Sequence, residues 1–166
     1  MNQADAGSGS GRLTLTLDIN GVCREIEVEP RTTLAQAVRS LPGLTGTKIA
    51  CDRGACGACT VWLDGAPVYA CMLLAVTVGR RAVTTIEGLA AAGQLHRVQH
   101  AFIDQDAVQC GFCTPGMIMS CAALLRDRPD FRDVDVREAI SGNLCRCGTY
   151  PHVLAAMRSL MKEPAP

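Results

Sequence analysis

Residues 51–71 read CDRGACGACTVWLDGAPVYAC and place cysteines at positions 51, 56, 59 and 71. Four residues separate the first two cysteines and two residues separate the next two, which is the C-x4-C-x2-C spacing of plant-type [2Fe–2S] sites. The Asp64-Gly65 pair favours a hairpin turn, which would bring Cys71 back to the other three cysteines. The sequence therefore predicts that this loop and hairpin together enclose a [2Fe–2S] cluster.

A second set of cysteines lies in two separate segments, CGFC at 110–113 and CRC at 145–147, with thirty-one residues between them. This set also has the four thiols that a [2Fe–2S] cluster requires. Thr114 and Pro115 directly follow the first segment and predict an N-cap and a first-turn proline. The CRC segment likewise precedes a helical pattern. Because a helix N-terminus favours negative charge, both segments suit an anionic centre.

Disulfides and zinc are the alternative uses of so many cysteines. Disulfide frameworks belong to small secreted domains, whereas this chain has 166 residues and its first residues do not predict a secretory segment. Zinc binds C-x2-C pairs, so it stays open for the second set, although C-x-C is not a usual zinc spacing. The spacing of the first set favours iron and sulfide.

Other chemically active residues lie outside both sets. Cys121 falls in an apolar helical pattern and is predicted to be a core residue, and Cys23 is also assigned a structural role, within a strand. His96 and His100 lie four residues apart on a predicted helix, where they either share a metal or form a solvated face. Trp62 either packs within its strand or shields the neighbouring cysteine loop from water.

Charge and hydropathy argue against two classes of function. Sixteen basic residues balance sixteen acidic ones without a basic stripe, so the chain lacks the electrostatic footprint of a nucleic-acid-binding protein. No apolar stretch approaches the ~18 residues of a membrane span. We expect a cytoplasmic location, or a periplasmic one if a partner carries the export signal.

Hydrophobic periodicity predicts an α+β fold in two domains. Residues 1–12 are small, polar and glycine-rich, and they predict a flexible tail. Within 13–88, the alternation around Asn20-Gly21 predicts a hairpin, and a helix over 34–40 and further strands follow it. The predicted strands are 13–19, 22–28, 60–63, 68–70 and 82–86. Within 89–166, apolar residues at helical spacing predict four helices that pack as a bundle.

Three segments together carry a specific resemblance. They are CDRGACGACTVWLDG with Cys71, VQCGFCTPGM at 108–117 and GNLCRCGTYP at 142–151. From Leu13 to Met161 the chain resembles, in order and spacing, the [2Fe–2S] subunit or domain of the molybdenum hydroxylases, the xanthine oxidase and aldehyde oxidoreductase group. The CRCGTYP form is more similar to bacterial aldehyde oxidoreductase and isoquinoline-type small subunits than to carbon monoxide dehydrogenase.

This resemblance implies an N-terminal ferredoxin-like β-grasp domain, a C-terminal four-helix bundle and a large partner subunit that binds a molybdopterin cofactor. Electrons would leave molybdenum through the pterin, cross this chain and pass to a flavin-binding subunit or a cytochrome. The resemblance assigns Cys110, Cys113, Cys145 and Cys147 to a proximal [2Fe–2S] cluster, and Cys51, Cys56, Cys59 and Cys71 to a distal one. Gln109 and Cys147 would approach the pterin.

Three functions are therefore considered. The leading hypothesis is the non-catalytic electron-transfer subunit of an aldehyde or N-heteroaromatic hydroxylating dehydrogenase. A free-standing two-cluster ferredoxin that serves several partners is the second hypothesis. A zinc-stabilised interaction module is the third.

Overall fold

The computed structural model describes residues 11–90 and 93–161 of the chain. Within these ranges the fold is α+β, with a five-stranded sheet and one α-helix in the first part and four α-helices in the second. The strands are β1 (Leu13–Ile19), β2 (Val22–Val28), β3 (Thr60–Leu63), β4 (Ala66–Tyr69) and β5 (Ala82–Thr84). The helices are α1 (Leu34–Arg39), α2 (Arg97–Asp104), α3 (Thr114–Asp127), α4 (Asp133–Ala139) and α5 (Tyr150–Arg158). Most of the predicted tail lies outside the described residues.

The hairpin of β1 and β2 forms where the sequence predicts it. Asn20 and Gly21 have positive φ angles of 56° and 75°, which two-residue turns between antiparallel strands require. The two strands pair along their full length. Alternate side chains, including Leu17 and Ile19, are buried. One face of the hairpin therefore contributes to the core of the first part.

The sheet has the order β2-β1-β5-β3-β4, with β1 parallel to β5 and all other neighbours antiparallel. Thr33 caps α1: its hydroxyl accepts the Gln36 backbone N–H at 3.3 Å, and the Gln36 side chain accepts the Thr33 N–H at 3.0 Å. The buried face of α1, with Leu34 and Val38, packs in one core with the sheet. This core fixes the strands and helix on both sides of the first cysteine loop.

Helix α3 is central to the second part. It contacts α2 and α4, and both of those helices contact α5. Its residues 116–124 are all buried, as expected for a helix enclosed on every side. Cys121 is fully buried in this core, which confirms its predicted position. Within the described ranges, no helix is long and apolar enough to cross a membrane.

The same helix also packs against β3 and β4 and so joins the two parts of the fold. Trp62 of β3 extends across this interface, and its Nε1–H donates to the carbonyl oxygen of Met119 at 2.9 Å. The guanidinium carbon of Arg126 lies 4.6 Å from the centre of the indole ring. Trp62 packs against the core of the helical part. These contacts support the packing interpretation of Trp62.

Replacing Trp62 with phenylalanine tests the strength of this interface. The change removes one hydrogen bond and weakens one cation–π contact, each worth about 1 kcal/mol, so we expect the Tm to fall by about 3–6 °C. Thermal unfolding of the holoprotein measures the effect. The control is Val134→Ala, which shortens an exposed apolar side chain of α4. Equal Tm values for the two variants would contradict a role of the indole in the interface.

Candidate iron–sulfur centres

The first cysteine loop has an unusual backbone. Asp52, Gly54 and Gly57 have φ angles of 51°, 73° and 67°, so the chain reverses direction repeatedly between Cys51 and the start of β3. Such left-handed residues turn successive N–H groups toward one point, which is how a backbone nest binds an anion. The N–H of Ala55 already donates to Sγ of Cys51 at 3.3 Å. The loop can therefore stabilise thiolate and sulfide charge.

The fourth cysteine of this set returns through the β3–β4 hairpin. Asp64 and Gly65 form its turn with φ angles of 50° and 83°, as the sequence predicts. The N–H of Ala70 donates to the carbonyl of Cys59 at 3.2 Å, which places the next residue, Cys71, beside Cys59. Both of these cysteines are buried. The loop and the hairpin thus bring the four residues of the set together.

The second set is assembled from two helix starts. Cys113 is the N-cap of α3, and its carbonyl accepts the N–H of Met117 at 3.1 Å. The prediction that Thr114 is the N-cap was wrong by one residue, because Thr114 already belongs to the first helical turn. Cys145 lies just before α5, and its Sγ is 3.2 Å from the hydroxyl of Thr149, the N-cap of that helix. The helix dipoles favour anionic sulfur at both positions.

The cysteine side chains meet in pairs. The pairs within hydrogen-bonding reach are Cys51 with Cys56, Cys59 with Cys71, Cys110 with Cys147, and Cys113 with Cys145. In residues 11–90 and 93–161, no three or more His, Cys, Asp or Glu side chains converge as they would around a single metal ion. A [2Fe–2S] cluster takes two thiolates on each of its two irons. The paired arrangement of the donors therefore fits a two-iron centre in each set.

The thiols within each set differ in acidity. A hydrogen bond from the backbone of Arg53 is the main reason that the pKa of Cys51 falls to about 6. Burial opposes ionisation of Cys145, but its hydrogen bonds outweigh burial and lower the pKa to about 7. Burial raises the pKa values of Cys59 and Cys113 to about 12. Each set thus contains at least one thiol that ionises readily and one whose proton a metal must displace.

Solvent exposure is uneven across the two sets. Cys110 and Cys147 are exposed, and so is Gln109 beside them. In the first set the cysteines are half-buried or buried. Exposed apolar residues surround the exposed pair: Val108, Phe112 and Leu144 are 37%, 44% and 56% exposed. The second set therefore has one open side, where these apolar residues lie beside the exposed Arg146.

Two family models match the chain. A 2Fe-2S iron-sulfur cluster binding domain matches residues 17–80, and a [2Fe-2S] binding domain matches residues 85–158. Each match contains one of the two cysteine sets. The chain therefore carries two [2Fe–2S] clusters, as the sequence predicts.

Curated relatives are similar over nearly the whole chain. The aldehyde oxidoreductase iron-sulfur-binding subunit PaoA of Escherichia coli O157:H7 is 43% identical over 166 residues, which cover 91% of this chain and 72% of the relative. The nicotinate dehydrogenase small FeS subunit of Eubacterium barkeri is 44% identical over 154 residues, which cover 93% of this chain and 98% of the relative. The chain belongs to the iron–sulfur subunits of the molybdenum hydroxylases.

Solved structures agree with this assignment. Quinoline 2-oxidoreductase from Pseudomonas putida 86 superimposes on this iron–sulfur subunit with a TM-score of 0.84 and 43% identity, over 89% of this chain and 91% of the other. Aldehyde oxidoreductase from Desulfovibrio desulfuricans gives a TM-score of 0.82 and 43% identity, and the match covers 89% of this chain but 17% of that chain. The predicted family, ferredoxin-like domain and electron-transfer role are confirmed.

The two histidines His96 and His100 and the cysteine Cys23 lie outside the cysteine sets of this iron–sulfur subunit. His96 is the N-cap of α2, and its Nδ1 accepts the N–H of Val98 at 3.3 Å. His100 is exposed, as the solvated-face interpretation expects, whereas His96 is half-buried at the helix cap. Cys23 is exposed on β2. Its predicted structural role was wrong, because its side chain points to solvent and not into the core.

Two polar residues next to the second cysteine set, Asn143 and Tyr150, have roles that no sequence pattern predicts. The side chain of Asn143 is buried between the two parts of the subunit, where it bonds to Ser120 and Gly57. The hydroxyl of Tyr150 accepts the N–H of Cys145 at 2.8 Å and donates to the carbonyl of Asn143 at 3.1 Å. The only signal in the sequence is the position of both polar residues within the GNLCRCGTYP segment.

Proposed function

We propose that this chain relays electrons from a molybdenum centre in a large partner subunit to a flavin-binding subunit or a cytochrome. The complex would oxidise an aldehyde or an N-heteroaromatic compound. Named relatives act on both classes: PaoA belongs to an aldehyde oxidoreductase and the Eubacterium barkeri subunit to a nicotinate dehydrogenase. The chain itself would bind no substrate.

One observation carries the relay. The backbone N–H of Leu144 donates to the carbonyl oxygen of Cys56 at 2.9 Å. Leu144 precedes Cys145 of the second set, and Cys56 belongs to the first set, so a few covalent bonds and one hydrogen bond connect the two centres. Electron tunnelling is faster through bonded atoms than through space. The two sets are therefore arranged as consecutive steps of one path.

The two sets have distinct places in this path. We assign Cys110, Cys113, Cys145 and Cys147 as ligands of the proximal cluster, and Cys51, Cys56, Cys59 and Cys71 as ligands of the distal cluster. When bound, each cluster accepts and releases one electron. Backbone amides of the first loop and the N-termini of α3 and α5 stabilise the negative charge of the thiolates.

The open side of the proximal set suits a permanent partner. Gln109 and Cys147 are exposed there, and we propose that both contact the pterin held by the large subunit. The neighbouring apolar side chains of Val108, Phe112 and Leu144 would be buried by a stable interface.

Each of the two cysteine sets belongs to a domain of its own. We propose a β-grasp domain over 13–88 and a helical domain that begins at residue 89. The contacts of α3 with α2 and α4, and of α5 with both, support a four-helix bundle. One edge of each cysteine set lies at the contact between the two domains, since Leu144 and Cys56 meet there.

Isolation of the native complex tests the proposed function. We expect this chain to co-purify with a much larger chain and to contain about four irons and four acid-labile sulfides. Reduction by a suitable aldehyde or N-heteroaromatic compound should then produce two distinct paramagnetic [2Fe–2S] signals. A panel of substrates from both classes, with an artificial acceptor, identifies the reaction.

Three results would contradict the proposal. A monomer that passes electrons to several unrelated proteins indicates a free-standing ferredoxin. About two zinc ions and no labile sulfide indicate an interaction module. Four irons that give a single kind of signal exclude two different centres.

A further inference from the structure

A buried asparagine connects the two cysteine loops. Asn143 is 2% exposed. Its side-chain Nδ2 donates to the carbonyl of Gly57 at 2.9 Å and lies 3.4 Å from the hydroxyl of Thr60. Its Oδ1 accepts the hydroxyl of Ser120 at 2.8 Å. Because donors and acceptor all have partners, the amide has one defined orientation between the domains.

The contacts of Asn143 extend the link between Leu144 and Cys56. Two consecutive residues of the proximal loop, Asn143 and Leu144, bond to two consecutive residues of the distal loop, Gly57 and Cys56. Cys145 follows directly in the proximal loop. The two loops therefore meet through a pair of adjacent hydrogen bonds, of which only one depends on a side chain.

The two loops approach each other closely at Gly57. A Cβ atom at Gly57 would lie 2.4 Å from the carbonyl oxygen of Gly142 and 2.6 Å from Nδ2 of Asn143. Real Cβ contacts are longer, so this approach requires glycine. The separation of the loops is thus fixed by backbone contact on one side and by the asparagine amide on the other.

We infer that Asn143 is a positioning residue that sets the separation of the two clusters and thereby the rate of electron transfer between them. The inference rests on the proposed function, since it assumes that electrons pass from one cluster to the other. Asn143 is not a cluster ligand. Without its amide, the Leu144 hydrogen bond and the longer bond from the Tyr69 hydroxyl to the Gly142 carbonyl (3.3 Å) would remain at this loop, and the distance between the centres would increase and vary.

Two physical quantities report this distance. The rate of electron tunnelling falls exponentially with the separation of donor and acceptor. The dipolar coupling between two unpaired spins falls with the cube of their separation. When both clusters are reduced, this coupling splits their paramagnetic resonance signals, so the splitting measures the separation independently of turnover.

The variant Asn143→Ala in the complete complex tests the inference. We expect both cluster signals and the full iron content to persist, while the magnetic splitting is lost and electron transfer from the proximal to the distal cluster slows. Amide hydrogen exchange at Leu144 should become faster, because the hydrogen bond to Cys56 opens more often. This last readout does not depend on the clusters.

The matched control is Ser120→Ala. It removes the Oδ1 partner of Asn143 from the same buried network but leaves both contacts between the loops. We expect the splitting and the Leu144 exchange rate of this variant to equal those of the unchanged protein. An equal loss of splitting in Asn143→Ala and Ser120→Ala would overturn the inference. Any weakening of the hydrogen-bond network would then change the splitting, whether or not the bond between the loops is kept.

Other results also decide the question. Unchanged splitting in Asn143→Ala overturns the inference. If Asn143→Ala holds less iron than the unchanged protein, the same measurements are made on Asn143→Leu. Leucine fills a similar volume but has no amide. Loss of a cluster from both Asn143→Ala and Asn143→Leu also overturns the inference, because Asn143 would then be needed for cluster binding. Failure of the proposed function is distinguishable, since it appears in the iron content and signals of the unchanged protein.

Discussion

Serine in place of Cys145 is expected to abolish reduction of both clusters by substrate. Serine in place of Cys51 is expected to abolish only electron transfer from the proximal to the distal cluster. Cys145 belongs to the set with the open side, which we place next to the molybdenum subunit. Its loss removes the entry point for electrons. Cys51 belongs to the distal set, so its variant should still accept electrons at the proximal cluster but not deliver them.

Substrate reduction followed by paramagnetic resonance measures this difference. The Cys145→Ser complex should show no proximal signal and no turnover, and the Cys51→Ser complex should show the proximal signal but no turnover. The control is Cys23→Ser, which changes an exposed thiol outside both sets and should leave about four irons in place. If the Cys51 variant loses the signal that substrate reduces first, the proposed order of the clusters is reversed.

Alanine in place of Gly57 is expected to destabilise the protein by about 2–5 kcal/mol, the sum of left-handed backbone strain and overpacking. Gly57 has a φ of 67°, which costs any other residue energy. In addition, the new Cβ would lie 2.4 Å from the backbone oxygen of Gly142. Neither backbone segment can move away without disturbing the packing of its own domain, so the clash pushes the two domains apart. We expect a lower Tm and loss of iron from the distal site.

The matched control is Gly54→Ala in the same loop. Gly54 has a similar φ of 73°, but its Cβ would contact the side chain of Met72 at 3.0 Å. A flexible methionine can move, so only the backbone strain of about 1–2 kcal/mol remains. Thermal unfolding and iron analysis compare the two variants. Equal losses would show that strain within the loop, and not contact between domains, determines the effect.

The local structure of this chain could be predicted from its sequence because its signals are short-range. Asn20-Gly21 and Asp64-Gly65 form their turns, and Thr33 caps α1, since a turn or a cap depends on residues within four positions. The same holds for the first cysteine loop, whose spacing alone indicates the cluster type. Boundaries differ by one or two residues: β4 begins at Ala66 and β5 ends at Thr84.

The contacts between the domains could not be predicted in this way. Trp62 bonds to Met119, and Asn143 bonds to Gly57, across more than fifty residues of sequence. No periodicity encodes such a pair, because each residue follows its own local pattern. Cys23 is exposed because it lies on the face of β2 opposite to that of the buried residues Ile26 and Val28.

The unequal spacing of the two cysteine sets has a consequence for biosynthesis. Residues 51–71 hold the complete distal set, and a short loop and one hairpin are enough to close it. The proximal set needs the return of residues 145–147 to α3, and its loops also bond to Cys56. Domains generally fold from the N-terminus during translation. The four distal thiols can therefore come together during translation before the proximal set is complete.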